Sequence, residues 1–437
     1  MLFYPELVAL MGVLVYLTLL LLAPLKLVFP VSWESLGYIF LCYFAFFFGC
    51  LLMAGRRRQL VRDKQGNSQF GKRAFWWFVF IGATGMAVRI LDKWFLRGAG
   101  LVSSALESRE LLADAAAGPL AALGGLLYPF CFVPLIIWWS RPTNSEKKPL
   151  AKWVAATLFI LPAIDALLLL SRSQMLVTFS MMYFAAACVL YRGRLLPKKL
   201  IFPVLFGIAG LLIVSISVFV TRLNEMNFDL AFSIQNSAYG YVITPDATAV
   251  RLMNQSGSLA GAAFTSFMPM LQYYLHGLFE FGLLWDRADN QMFTYGAQHF
   301  APYLKGLSVF GISSGFSLAN PNLYFRSGIF TTFFGPLWVD FAWLGPLFML
   351  GFGLFSKYSA QRAREGFLGA MPLHAYFCVV VFFMPVVNFM ISGQGMYIIN
   401  ALGIFWIFYA NNLRRQRQFT HRSVRNSVEP VFLKRRT

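Results

Sequence analysis

Three arginines lie where long apolar stretches of the chain end. Arg172 sits in the short turn 171-SRSQ-174 between two such stretches, Arg89 lies within the end of another, and Arg222 follows a fourth. A guanidinium keeps its charge and can hold two phosphate oxygens at once, and a charge at such a depth usually faces a cavity or a partner. These arginines therefore predict a cationic site for a lipid phosphate headgroup. Snorkelling to lipid phosphates, or pairing with a nearby acid such as Asp92 for Arg89, is the alternative.

Groups that could accept a proton lie in the aromatic-rich segment 221–331, and two of them, His276 and Glu280, have the spacing of one helical turn. The candidates are His276, Glu280, Asp286, Asp289 and His299. An ordinary hydrogen-bonded histidine is the alternative for each imidazole. The acids of 285-WDRADN-290 lack a third ligand, and no nucleotide-binding loop or zinc motif occurs, so we expect neither a metal nor a cofactor.

Two acids lie inside apolar stretches. Asp165 precedes Arg172 by seven residues, two helical turns, and we expect it to pair with a polar neighbour. Asp340 lies in 335-GPLWVDFAWLG-345, where a structural role and a site role both stay open.

The composition identifies the elements that must position these groups. Hydrophobic residues make up 58% of the 437 residues and charged residues only 13%, whereas soluble chains carry about 25% charged residues. Ten stretches approach the roughly 20 residues that cross a bilayer. They lie near 3–29, 36–54, 74–91, 117–140, 150–170, 174–191, 200–220, 332–356, 368–391 and 393–412. We therefore predict an all-α polytopic integral membrane protein.

Basic residues set the orientation. Every even-numbered stretch is followed by a cluster of lysines and arginines, so 26 of the 37 lie on one face, which the positive-inside rule makes cytoplasmic together with both termini. The net charge of +19 is thus a topology signal with attraction to anionic membrane lipids, and nucleic-acid binding is not expected. All five cysteines fall in apolar stretches, which predicts buried free thiols.

Four regions follow. Residues 1–220 hold transmembrane helices 1–7 with a short outer helix near 101–114. Residues 221–331 form a large, mostly helical outer loop, in which 259–285 lies in the interface or re-enters the bilayer, because a full crossing would reverse the later basic clusters. Residues 332–412 hold transmembrane helices 8–10, and 413–437 form a basic cytoplasmic tail.

Several stretches in this order resemble one family, the O-antigen-polymerase-like (Wzy-type) oligosaccharide repeat-unit polymerases. They are 89-RILDKWFLRG-98 with 108-SRELLA-113, the turn 171-SRSQ-174, 221-TRLNE-225, 294-TYGAQHFAP-302 and 322-NLYFRSGIFTTFFGPLWVDFAWLG-345. The resemblance implies a fold like that of C-type glycosyltransferases. It also implies polymerisation of undecaprenyl-diphosphate-linked oligosaccharides on the periplasmic face of the bacterial inner membrane.

The resemblance also suggests roles for residues. Arg172 and Arg222 would bind and stabilise the leaving diphosphate, and His299, in a matched stretch, is the favoured general base among the open candidates. The remaining matches would bind substrate; they are Arg89, Arg109, Arg326, Asn322, Tyr324 and Asp340. A chain-length-regulating co-polymerase is a further partner that the family allows. The alternatives are an O-antigen ligase that transfers the glycan to lipid A and a transporter of lipid-linked oligosaccharides.

Overall fold

The computed structural model describes most of the chain as helices. The described residues are 4–53, 66–99, 107–108, 111–112, 118–141, 149–169, 171–191, 198–225, 234, 237–254, 259–287, 293–301, 303–304, 326, 329–391 and 393–433. Within these ranges only the backbone is described at some positions, chiefly 66–73, 198–200, 222–225, 259–263 and 419–433.

Helices account for nearly all of the regular structure in these ranges. The first half of the chain contains α1 (Pro5–Leu22), α2 (Trp33–Leu52), α3 (Gly66–Ile90), α4 (Pro119–Leu127), α5 (Val133–Ser140), α6 (Pro149–Leu168) and α7 (Ser173–Val189). The second half contains α8 (Lys198–Glu225), α9 (Ala247–Asn254), α10 (Leu259–Arg287), α11 (Phe334–Phe341), α12 (Gly345–Arg364), α13 (Met371–Phe382) and α14 (Gly393–Leu433). Short helical turns Leu91–Leu96, Tyr128–Phe132 and Ala342–Leu344 continue or join them.

The described helical segments include seven that are long and apolar enough to cross a membrane. They are Pro5–Leu22, Trp33–Leu52, Ala74–Leu96, Pro119–Ser140, Pro149–Leu168, Phe334–Arg364 and Gly395–Arg415. The chain is thus a multi-pass helical membrane protein, as its composition predicts. The other three predicted spans coincide with shorter apolar helices, Ser173–Val189, Val204–Val214 and Leu368–Phe382, so the number ten stays a prediction.

Two predicted spans differ from the observed elements. The first does not run to residue 29, because strand β1 (Leu25–Leu27) pairs antiparallel with strand β2 (Ile243–Pro245) of the segment 221–331. In the ninth predicted span, 368–391, the helix ends at Phe382, and residues 383–391 are not helical. Pro385 lacks a backbone donor and restricts the residue before it, which ends the helix here. The backbone N–H of Phe333 donates to the freed carbonyl of Met384 at 3.0 Å.

Small residues let the core helices pack closely. A Cβ at Gly353 of α12 would overlap the carbonyl of Phe46 in α2, and one at Gly49 of α2 would overlap the carbonyl of Leu350.

All five cysteines are buried free thiols, as predicted. Of the predicted outer helix near 101–114, residues 107–108 and 111–112 are helical, and the others lie outside the described residues.

Candidate functional site

A buried polar face runs along α10. Gln272, His276 and Glu280 recur every four residues, which places them on one side of a helix, and all three are at most 4% exposed. The amide of Gln272 donates to the carbonyl of Ile243 in β2 at 3.3 Å. This contact fastens α10 to the small sheet.

His276 lies in the middle of that face. Its Nδ1 is 3.0 Å from the carbonyl oxygen of Gln272, and since a carbonyl only accepts, Nδ1 carries the hydrogen. Nε2 is buried and has no hydrogen-bond partner among the side chains and backbone groups that the structure describes. The rings of Tyr239 and Phe330 cover the imidazole, with centroids at 4.3 and 4.5 Å. His276 thus presents an acceptor nitrogen inside an aromatic enclosure.

Arg172 reaches α10 from the turn between α6 and α7. The turn is closed by the hydrogen bond from Ser171 N to the carbonyl of Ala166 at 2.8 Å. Arg172 is only 7% exposed, and its guanidinium carbon lies 4.2 Å from the ring centroid of Tyr273. A cation just before the N-terminus of a helix opposes the helix dipole. The start of α7 therefore does not explain why this residue is an arginine.

Arg326 reaches the same helix further along. Its Nη1 lies 2.6 Å from Glu280 Oε1, its Nη2 donates to the carbonyl of Ala238, and its guanidinium lies 5.1 Å from the ring centroid of Tyr241. Tyr273 and Glu280 are seven residues apart, close to two helical turns and about 10 Å along the axis. Two guanidinium groups from distant parts of the chain therefore attach to one side of α10.

Burial sets the charges of this site. It lowers the pKa of His276 to about 4, so the imidazole is neutral at pH 7. It raises the pKa of Glu280 to about 7, although Arg326 acts in the opposite direction. Near neutral pH the site therefore holds two cations, one neutral imidazole and one carboxyl group that is half ionised.

Arg89 belongs to a second cluster. Its Nε lies 3.0 Å from Asp165 Oδ2, and Lys93 Nζ lies 2.6 Å from the same oxygen. The expected pairing of Asp165 with a polar neighbour is confirmed. Asp92 was the wrong partner for Arg89, because it pairs with Arg97 at 2.6 Å. Arg89 and Lys93 are four residues apart, so they lie on the same helix face, which contacts α6. Asp92 lies on a different part of the helix surface, beside Arg97.

His299 and Asp340 form a third cluster. His299 Nδ1 lies 2.6 Å from Asp340 Oδ2, and the backbone N–H of His299 donates to the same oxygen at 2.8 Å. The other carboxylate oxygen accepts from the hydroxyl of Thr294 and from Gln298 N. His299 Nε2 faces the amide of Asn388 at 3.2 Å. Both residues are 1% exposed, so the structure gives them a shared buried network, and their predicted roles in catalysis and substrate binding stay predictions.

The structure gives no side-chain contacts for most of the remaining predicted site residues. Arg109, Asn322 and Tyr324 lie outside the described residues, as does Asp289, and Arg222 is described only in its backbone. Asp286 is exposed near the end of α10. Within the described ranges no group of three His, Cys, Asp or Glu side chains is close enough to hold a metal ion.

Sequence reasoning missed the aromatic partners of the arginines. Tyr273, Tyr241 and Tyr239 are three of many aromatic residues in the segment 221–331, and no spacing distinguishes them. Among the missed residues of the α10 site, only Gln272 could have been found from the sequence, because it extends the spacing of His276 and Glu280 by one helical turn.

The chain has helices that could span a membrane, and a cluster of arginines, tyrosines and a buried imidazole lies along α10. Together these features define the class, a multi-pass membrane protein with a polar site on α10. Comparison with protein-family models, with curated proteins and with solved structures finds no match for this chain.

Proposed function

We propose that this protein is a membrane glycosyltransferase that polymerises undecaprenyl-diphosphate-linked oligosaccharide repeat units on the outer face of the bacterial inner membrane. The observation that carries the proposal is the arrangement on α10. Arg172 and Arg326 attach to one side of this helix through Tyr273 and Glu280, with His276 between those two attachment points.

The chemistry of transfer explains the two cations. When a glycosyl group leaves a lipid diphosphate, negative charge develops on the diphosphate, and fixed cations in a site shielded from water stabilise it. Arg172 is held by an aromatic face and Arg326 by a carboxylate and a carbonyl. Both side chains are therefore oriented before the substrate arrives, which reduces the entropy lost on binding.

His276 is the proton acceptor in this proposal. The attacking sugar hydroxyl loses a proton, and an acceptor must lie within hydrogen-bond reach of it. Nε2 of His276 has an available lone pair at pH 7, because Nδ1 carries the hydrogen and burial keeps the ring neutral. His299 is less available, because its Nε2 already faces the amide of Asn388 at 3.2 Å.

Reconstitution tests the proposal. Purified undecaprenyl-diphosphate-linked repeat units are added to proteoliposomes, and the products are separated by length. We expect a ladder with the wild-type protein, and loss of the ladder in Arg172→Ala and in Arg326→Ala. Arg251→Ala is the matched control, because Arg251 is an exposed arginine of α9, and its ladder stays intact. Normal ladders from correctly folded Arg172→Ala and Arg326→Ala proteins would refute the assignment.

Two further measurements sharpen the result. His276→Gln keeps the shape of the side chain but offers no basic nitrogen, so we expect carrier-lipid binding to persist while transfer is lost. A ligase, the runner-up, is recognised in cells: without a polymerase lipid A carries one repeat unit, and without a ligase it carries none.

A further inference from the structure

Outside the α10 site, two residues have a strained backbone. Tyr295 has φ +49° and Ala342 has φ +46°, and they are the only non-glycine residues with positive φ in the described ranges. For residues other than glycine this conformation costs about 1–2 kcal/mol. Such strain persists only where surrounding structure enforces it, and it is concentrated at functional sites.

The third cluster enforces this conformation. Asp340 lies two residues before Ala342, and its carboxylate accepts hydrogen bonds from Thr294, Gln298 and His299, on both sides of Tyr295. The backbone N–H of Thr294 also donates to the carbonyl of Val339 at 2.9 Å. The buried network therefore holds the two strained turns against each other.

Both turns present an aromatic ring outward. Tyr295 is 78% exposed, and Trp343, directly after Ala342, is 64% exposed. The indole of Trp343 meets the partly buried indole of Trp285 and the buried indole of Trp338 edge to face, at centroid distances of 5.7 and 5.5 Å and interplanar angles of 88°. This packing fixes the ring while much of its surface stays accessible.

The chemistry around these rings suits a neutral ligand with hydroxyl groups. The stretch 293-FTYGAQHFAPYL-304 contains no lysine, arginine, aspartate or glutamate. It offers instead the hydroxyl of Tyr303, which donates to the amide side chain of Asn400. Amides and hydroxyls both donate and accept, as sugar hydroxyls require, and an aromatic face suits the apolar face of a sugar ring.

An interfacial aromatic belt explains these rings less well. Belt residues need only the headgroup level of the membrane, and Trp33 shows such a position: it begins α2 in an ordinary helix and is 85% exposed. A belt gives no reason to hold Tyr295 in a strained conformation with a buried carboxylate. A ligand that contacts both Tyr295 and Trp343 gives such a reason.

We propose that Tyr295 and Trp343 form a stacking subsite for the sugar rings of the glycan, fixed by the Asp340–His299 network. This inference rests on the proposed function, because it assigns a place to the sugar part of the same lipid-linked substrate. Asp340 and His299 are then positioning residues for the subsite.

The experiment separates the two parts of the substrate. The protein in nanodiscs is titrated with two probes: undecaprenyl diphosphate alone, and the oligosaccharide freed by mild acid from the organism's own lipid-linked repeat unit. We expect Tyr295→Ala and Trp343→Ala each to weaken oligosaccharide binding roughly tenfold, the scale of one aromatic contact. Binding of undecaprenyl diphosphate stays unchanged in both. Trp33→Ala, the control, changes neither.

Two more variants test the role of strain. Tyr295→Phe retains the ring and should bind the oligosaccharide like the wild-type protein. Tyr295→Gly accepts the positive φ without strain, so it should lose oligosaccharide binding with a Tm no lower than that of the wild-type protein. Failure of the wild-type protein to bind the oligosaccharide, or equal binding by the wild-type, Tyr295→Ala and Trp343→Ala proteins, overturns the inference. Equal weakening by Trp33→Ala also overturns it. If Arg172→Ala leaves undecaprenyl diphosphate binding intact while Tyr295→Ala still weakens oligosaccharide binding, the diphosphate assignment fails and the subsite stands.

Discussion

Substitution of Glu280 by glutamine should remove a pH dependence that the α10 site imposes on diphosphate binding. Burial raises the pKa of Glu280 to about 7, and the carboxylate pairs with Arg326 at 2.6 Å. Above pH 7 the ionised carboxylate neutralises Arg326 and competes with the diphosphate for it. Below pH 7 the protonated carboxyl group releases that charge. Affinity for the lipid diphosphate should therefore fall as pH rises through 7.

The size of the effect follows from the pKa. One pH unit below a pKa of about 7 roughly nine-tenths of Glu280 is protonated, and one unit above it roughly one-tenth is. If only the protonated form leaves Arg326 competent, the apparent Kd scales inversely with that fraction. The ratio of the Kd of the wild-type protein to that of Glu280→Gln should thus rise about tenfold between pH 6 and pH 8.

The assay is titration of undecaprenyl diphosphate into both proteins in nanodiscs at pH 6, 7 and 8. The ligand itself titrates in this range, but this affects both proteins equally, and only the ratio of their Kd values is interpreted. Parallel curves for the two proteins would refute the reasoning, because they would show that Glu280 does not control the charge available on Arg326. An Arg326→Ala background gives a second check, since there the substitution Glu280→Gln should no longer change the pH dependence of binding.

Two further predictions concern stability. A double-mutant cycle with Arg89→Met and Asp165→Asn, read from thermal melts in detergent, should give a coupling of about 0.5–3 kcal/mol; additive effects would mean that the observed pair does not stabilise the fold. Gly353→Ala should lower the Tm, because the new methyl group overlaps the carbonyl of Phe46 and overpacking costs about 1–3 kcal/mol. Gly351→Ala, with open space around it, is the control and should not lower the Tm, because alanine favours a helix over glycine.

The sequence predicted the membrane class because apolar length is a local property. It predicted the continuity of the helices less well. Hydropathy sums over a window and does not register where the backbone leaves the helix, so the stretch 368–391 read as one span. Pro385 and Asn388 were the available signals: a proline ends a helix, and an asparagine side chain caps free backbone groups. Asn388 caps two such groups, accepting from Met390 N and donating to the carbonyl of Phe333.

The site was predicted in its residue types but not in its pairings. The spacing of His276 and Glu280 placed both on one helical face, and the position of Arg172 in a turn placed it at the outer end of two helices. The partners of the charges could not be predicted, because Arg89 with Asp165 and Arg326 with Glu280 are 76 and 46 residues apart. Only the packing of whole helices brings such residues together. Closeness in sequence therefore suggested the wrong partner, Asp92, for Arg89.

His276 and His299 show how hydrogen-bond partners decide between roles that the residue type leaves open. His299 faces a carboxylate and an amide at 2.6 and 3.2 Å, so accepting a further proton from a substrate would require Asn388 to withdraw first. His276 uses one nitrogen to bond its own helix and keeps the other as an acceptor. An Asp–His pair is often the mark of a general base, but here that pair spans two strained turns. In the proposed enzyme the engaged histidine therefore fixes the glycan subsite, and the one with an available nitrogen accepts the proton.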